Sequence, residues 1–355
     1  MTKSDLDSRV IETIIEEVAG GGTSTGRTPA PKPKMEMDVP EFALEAGKAS
    51  FTKLFGASFS GRDHNISVFK KEDWIEELQV FIPEVNPAYI WQPEAIEKLA
   101  VAIEQGDKIL FTGPTGSGKS TLVEQYCALT QRPFVRINMT GDMETSAFFG
   151  QLTVEDGATV WKDGLMTMGI RLGAITLVDE WELCPPEITM GLQWLLEDNG
   201  KLILKEKPGG ETVPMNPFAR IVMGGNTLGQ GDETGAHAGT NVQNTATIDR
   251  FQTVIKLDYL ARRHEEKLLK KAIPTLTPAI IKNMVQFANL VRTGYRQGNV
   301  SLTFSPRSLL NWGRKTVYWG DPVVALKMAF FDKIVDSEKN YVNQLVNKVF
   351  TKTIK

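Results

Sequence analysis

Apolar positions along the chain fall into three successive regimes. Between residues 4 and 18, Leu6, Val10, Ile11, Ile14, Ile15 and Val18 recur at helical spacing, with Ser4 placed to cap the helix and AGGG to stop it. This stripe reads either as a docking helix for a partner or as an arm that packs on a neighbouring copy or stays loose. The stretch GGGTSTGRTPAPKPK that follows cannot form a packed core and reads as a flexible linker. From about residue 87 a second rhythm begins, in which short apolar runs alternate with amphipathic ones. The runs KILFT (108–112), PFVRINM (133–139), AITLVDE (174–180) and ARIVMGGN (219–226) predict strands. A helix over Pro93–Gln105, another after residue 118 and a third over PPEITMGLQWLLED separate them. Such alternation predicts a parallel sheet covered by helices on both faces. After about Asp258 the pattern is helical throughout.

Two insertions interrupt the alternation. GQLTVEDGATVWKDG carries two alternating runs around Asp156-Gly157, and KLILKEKPGGETVPM carries a second pair around Pro208-Gly209-Gly210, so each predicts a β-hairpin. The expected organisation is a helix and linker over 1–50, a segment of unassigned role over 51–86 anchored by Phe55, Trp74 and Phe81, an α/β domain over 87–258 and a helical domain over 259–355.

Composition narrows this picture. A formal charge of −3 and the lack of a Lys/Arg run offer no general attraction to nucleic acid. Cys127 and Cys184 are the two cysteines, which implies no disulfide framework, and His64, His237 and His264 have no metal-site spacing. No run of about 18 apolar residues suggests a membrane span, and MTKSDLDSRV lacks the apolar core of a signal peptide. The expected location is cytoplasmic.

The candidate chemistry starts at GPTGSGKST, from Gly113 through Pro114, Thr115, Gly116, Ser117, Gly118, Lys119 and Ser120 to Thr121. Between a strand and a helix, this spacing predicts a phosphate-binding loop, with backbone amides turned onto phosphate oxygens. Lys119 would neutralise the β- and γ-phosphates of ATP, and Ser120 would ligate Mg2+. Asp179 and Glu180 end an apolar strand about sixty residues on; Asp179 would support the Mg2+ and Glu180 would polarise an attacking water. Two acids there can also cap the next helix. Asn226 closes the fourth strand and can orient the same water. Arg250, in TATIDRF, is placed to act as an arginine finger toward a neighbouring subunit, or to form a surface pair with Asp249. Arg307, in TFSPRSLLNW, follows a Ser305 cap and Pro306 and can reach the nucleotide from the helical domain, or face solvent.

These five elements in this order identify an AAA+ ATPase, a hydrolase whose sites lie between subunits. The region from about Ile82 to Phe350 also resembles the MoxR branch of that group and, within it, the small ATPase subunits of aerobic cobaltochelatases (CobS-like). The segments that carry the resemblance are GGNTLGQGDETGAHAGTNVQNTATIDRF, FANLVRTGYRQGNVSLTFSPRSLLNWGRKTVYWGD and IPEVNPAYIWQ. It implies a homo-oligomeric ring, a hexamer, with Lys119, Ser120, Asp179, Glu180, Asn226, Arg250 and Arg307 in the roles above. It further implies a partner with a von Willebrand factor A-type domain and a client enzyme, in cobaltochelatases a large subunit that inserts Co2+ into a corrin precursor. Two other readings share many of these motifs: a MoxR-type chaperone that activates another metalloenzyme, and a nucleic-acid translocase or loader. Residues 1–50 match nothing in the family.

Overall fold

Strands that are apolar on both faces need a sheet with helices on either side, and that is the arrangement of the sheet's interior strands. The computed structural model of the protein describes residues 46–56, 58–226 and 245–354. The helical stripe expected at 4–18 and most of the Gly-rich segment, 227–244, lie outside the described residues.

Strands β1 (Gly47–Ser50) and β2 (Asn65–Val68) form an antiparallel pair, with helix α1 (Phe51–Phe55) between them. Helix α2 (Glu76–Gln79) follows, and then α3 (Pro93–Gln105) leads to β3 (Ile109–Thr112) and α4 (Lys119–Thr130). Strand β4 (Phe134–Asn138) and the short helix α5 (Thr145–Phe149) precede the first hairpin, β5 (Gly150–Glu155) and β6 (Ala158–Asp163). Then come α6 (Leu165–Leu172), β7 (Ile175–Asp179) and α7 (Pro186–Leu196). The second hairpin pairs β8 (Lys201–Leu204) with β9 (Glu211–Pro214), and β10 (Arg220–Gly225) follows. A short helix, α8 (Thr245–Ile248), leads to β11 (Thr253–Lys256). The remainder is helical: α9 (Arg262–Ala272), α10 (Pro278–Arg296), α11 (Pro306–Trp319), α12 (Pro322–Ala329) and α13 (Asp336–Phe350).

The central sheet has the order β11-β3-β10-β7-β4, every pair parallel. Strands β3 and β7 are buried at every position, as interior strands of a covered sheet must be. Strand β4, at one edge, alternates instead, so that Val135 and Ile137 are buried while Arg136 and Asn138 are exposed. Strand β11 is the element that the apolar pattern did not announce. It has four residues, lies at the other edge and leaves Val254 exposed, so its alternation is too brief to stand out from a loop.

The hairpins form where turn chemistry predicts them. Asp156 and Gly157 both have positive φ, 51° and 79°, the conformation that matches a tight two-residue turn to strand twist. Arg171, on α6, ties the two hairpins together. Its Nε lies 2.8 Å from Asp163 on the first, and its Nη1 lies 2.8 Å from Glu211 on the second.

Each face of the sheet has its own core. One collects Phe51, Phe55 and Ile66 with α3, α4 and the inner sides of β3 and β7; the other collects Phe69, Trp74 and Leu78 with α6, α7 and the second hairpin. Residues 46–86 therefore contribute to both faces, Phe55 and Trp74 are buried anchors, and Phe81 packs partly buried against the second core. The C-terminal helices enclose a separate core around Phe287, Phe304, Trp312 and Phe330.

Candidate functional site

Register brings the candidate residues to one edge of the sheet. Thr112, which ends β3, pairs with Gly225 and Lys256, while Asp179 pairs with Gly224 and Asn138. The carboxyl ends of all five strands thus meet where the loop 113–118 leaves β3, the place where open α/β sheets bind ligands.

The loop is shaped by close backbone approach. Gly113 has φ 147°, and a Cβ there would lie 2.0 Å from the carbonyl oxygen of Leu257. At Gly116, a Cβ would come within 2.6 Å of Ser305 Cβ, so the start of α11 rests directly on the loop. Helix α4 then begins at Lys119, with its free amides pointed at the loop's hollow.

Lys119 is 8% exposed. Its Nζ donates to the carbonyls of Gly113 (2.6 Å) and Pro114 (3.3 Å) and to Asn226 Oδ1 (3.0 Å). Burial lowers the pKa of its ammonium, opposed by the charges of Asp179, Glu182 and Glu180. Ser120 Oγ donates to Asp179 Oδ2 at 2.6 Å. These bonds pair Lys119 with Asn226 and Ser120 with Asp179, and the two pairs adjoin because Lys119 and Ser120 are consecutive.

Glu180 follows Asp179 with φ 56° and ψ 37°, left-handed backbone that non-glycine residues rarely adopt. The residue is exposed. Such strain, on the order of 1–3 kcal/mol, persists where the surroundings impose it and is concentrated at functional positions.

Among the described residues neither arginine forms a hydrogen bond or ion pair with this cluster. Arg307 is the second residue of α11, exposed, with no ion-pair or hydrogen-bond partner among the described residues, two positions after the Ser305 that touches Gly116. Arg250 pairs with Glu197 Oε1 (2.7 Å) and donates to the Ala246 carbonyl (2.5 Å). Its ion pair is with the residue that ends α7, not with the adjacent Asp249, and none of its contacts reaches the phosphate loop.

Three residues that the sequence did not single out complete the site. Glu182 is buried, and its Oε2 accepts the backbone N–H of Asn226 at 3.0 Å, which holds the end of β10. Arg136 places Nη2 2.6 Å from Asp179 Oδ2. Tyr259 Oη donates to the Thr115 carbonyl at 3.1 Å and, its one proton so used, accepts from Thr303 Oγ1 at 3.1 Å. Glu182 had a trace in the acid-rich DEWE, and Arg136 in a lone charge within an apolar strand. Tyr259 had none.

A cavity of about 380 Å3 opens between the two parts of the chain. The phosphate loop, Asn226 and Lys256 line one side, Tyr295 and Thr303 the other. Ser117 Oγ, within the same loop, is buried and has no hydrogen-bond partner among the described residues, an unmet polar atom where phosphate would be cradled. Ser120 and Asp179 supply hard oxygens, which suit Mg2+ held jointly with phosphates. Among the described residues no group of three or more His, Cys, Asp or Glu is placed to hold a metal alone. No helix among them is long and apolar enough to cross a membrane.

Sequence comparison matches the region that carries these residues. Residues 108–251 match the AAA domain of the dynein-related subfamily. The chain is 26% identical over 325 residues to the aerobic cobaltochelatase subunit CobS of a Sinorhizobium species, spanning 89% of this chain and 94% of that one. It is 26% identical over 257 residues to protein CbbQ of Hydrogenophilus thermoluteolus, spanning 72% and 91%. It is 29% identical over 136 residues to protein NorQ of Paracoccus denitrificans, spanning 38% and 50%. Among solved structures, the RuvB Holliday junction branch migration motor of Thermotoga maritima covers 76% of this chain and 80% of its own, with a TM-score of 0.45 and 13% identity.

Proposed function

We propose that the chain, which is similar to CobS, CbbQ and NorQ, is an AAA+ ATPase of MoxR type and the ring-forming motor of a metal-insertion complex of the cobaltochelatase kind. The observation that carries the catalytic part is the convergence of Lys119, Ser120, Asp179 and Asn226 at one sheet edge, with Glu180 exposed beside them. The near end-to-end similarity to a cobaltochelatase subunit supports the choice of client class.

Lys119 then exchanges its carbonyl partners for the β- and γ-phosphates of ATP, while the loop amides bind the remaining oxygens. Ser120, backed by Asp179, would hold Mg2+, which would supply positive charge beside the phosphates. Glu180 draws a proton from water, and Asn226, fixed from below by Glu182, orients that water. Arg250, not bonded to its own chain's loop, serves a neighbour's site in a ring, and we place six subunits in it. Arg307, at the start of a helix that touches Gly116, carries the change of nucleotide state into the helical domain. The two hairpins are joined through Arg171, and their exposed turns, Asp156-Gly157 and Gly209-Gly210, face the pore or the partner in this reading.

Arg250→Ala should reduce turnover by at least ~10³-fold while nucleotide binding survives. Mixing it with Lys119→Ala protein should restore part of the activity through hybrid interfaces, and no recovery under conditions of proven subunit exchange would exclude a shared site. For the client, tagged Glu180→Gln protein held in ATP is recovered from its host. A large chelatase subunit with a von Willebrand factor A-type partner is the expected catch. The same kind of partner with a different metalloenzyme would keep the motor and replace the client. This second reading draws on the similarity to CbbQ.

A further inference from the structure

Asp179 is claimed by two donors at once. Ser120 Oγ and Arg136 Nη2 both lie 2.6 Å from the same oxygen, Oδ2. The acid is 5% exposed, whereas the Arg136 side chain is 46% exposed. The carboxylate is thus fixed in place, and the guanidinium reaches it from solvent on a long flexible stem.

The edge position of β4 produces this contact. Alternation along Phe134–Asn138 sends Val135 and Ile137 into the core and leaves Arg136 on the face it shares with Asn138. Asn138 is the residue paired with Asp179 across the ladder. No partner other than Asp179 is recorded for the Arg136 guanidinium among the described residues.

We propose that Arg136 is a positioning residue that stands in for the divalent cation at Asp179 and gives way when metal and nucleotide arrive together. This inference rests on the reading that Ser120 and Asp179 hold Mg2+. A guanidinium and a divalent cation facing one buried carboxylate oxygen repel each other, so metal entry requires the arginine to leave. Until then it prevents the uncompensated charge of Asp179 from repelling metal-free ATP. Arg136 therefore strengthens metal-free nucleotide binding, raises the Mg2+ concentration needed for the loaded state and limits the coupling between the two ligands.

The test is equilibrium binding of a fluorescent ATP analogue to the full chain, titrated with Mg2+ and repeated in a chelator. Arg136→Gln should weaken metal-free binding and lower the half-saturating Mg2+, each by about 5-fold or more. Arg136→Lys, which keeps the charge, should stay near the parent protein in both. An unchanged or raised Mg2+ midpoint in Arg136→Gln, with an unaltered melting curve, overturns the proposal. So does a fall in turnover at an unchanged midpoint, which would assign the guanidinium to the phosphates. If nucleotide binding by the parent protein ignores Mg2+, the metal assignment of Ser120 and Asp179 itself fails, and that result is distinct from the other two.

Discussion

The Lys119–Asp179 cluster and the Glu265–Arg292 pair both place charge where water is scarce, and they differ in how completely it is answered. Arg292 donates through Nη1 and Nη2 to Glu265 at 2.9 and 2.6 Å and through Nε to the Phe304 carbonyl at 2.7 Å. The Tyr259 ring covers its open face at 4.4 Å. Burial raises the carboxyl pKa of Glu265, and Arg292 opposes that rise. Every strong valence of this pair is used within the helical region. At the phosphate loop, by contrast, Lys119 rests on backbone carbonyls, Ser117 Oγ is unmet and Arg136 reaches Asp179 from solvent. The first assembly anchors the backbone just before Ser305 and Arg307. The second is held ready for partners that the chain does not itself supply.

The largest expected effect breaks that contrast in stability. Glu265→Gln or Arg292→Met should each cost about 3–5 kcal/mol, because the surviving partner is left buried and unanswered. Replacing both with apolar residues of similar volume should recover much of the loss. Asp179→Asn, at the open cluster, should change unfolding free energy by under ~1 kcal/mol, since Arg136 and Ser120 can donate to an amide oxygen as well. Denaturant titration of the four variants decides this, and a large loss for Asp179→Asn would erase the distinction.

A smaller effect is expected where the two regions touch. Tyr259→Phe retains the ring over Arg292 and removes the hydroxyl shared by Thr115 and Thr303. A net hydrogen bond of about 0.5–1.5 kcal/mol should appear as nucleotide affinity weakened by up to ~10-fold, with the melting temperature nearly constant. Loss of stability without loss of affinity would make Tyr259 part of the closed assembly alone.

The smallest effect concerns a third buried carboxylate, remote from both. Burial alone would raise Glu97, but hydrogen bonds from Ser60, His64 and Ser58 hold its pKa at about 2. A carboxylate depressed in the folded state stabilises above its ordinary value of 4.5, and that contribution is lost as pH falls toward about 2. Amide protection factors in residues 58–64, corrected for intrinsic exchange, should therefore fall through this window in the parent protein. In Glu97→Gln they should be low throughout and change little with pH.

Much of the fold was legible because its strands and helices have strong periods. The four strands read from apolar runs, 108–112, 133–139, 174–180 and 219–226, appear within a residue or so of their expected ends. The helix Pro93–Gln105 appears as expected, and both hairpins turn at the Gly-containing dipeptides. Strand Thr253–Lys256 was not legible, because four edge residues with one buried position carry almost no pattern. The phosphate loop was readable for a related reason: its contacts are local, and a local constraint leaves a spacing in the sequence.

What the sequence determined by itself was the alternation that makes the sheet, the glycine spacing that bends the loop and the acids that end β7. Only the tertiary structure decided that Arg250 pairs with Glu197, that Glu182 supports Asn226 and that Arg136 faces Asp179. Those partners are separated by 53, 44 and 43 positions. Strand order and register bring them together, and pairing across that distance depends on how whole elements pack, which no short stretch of residues encodes.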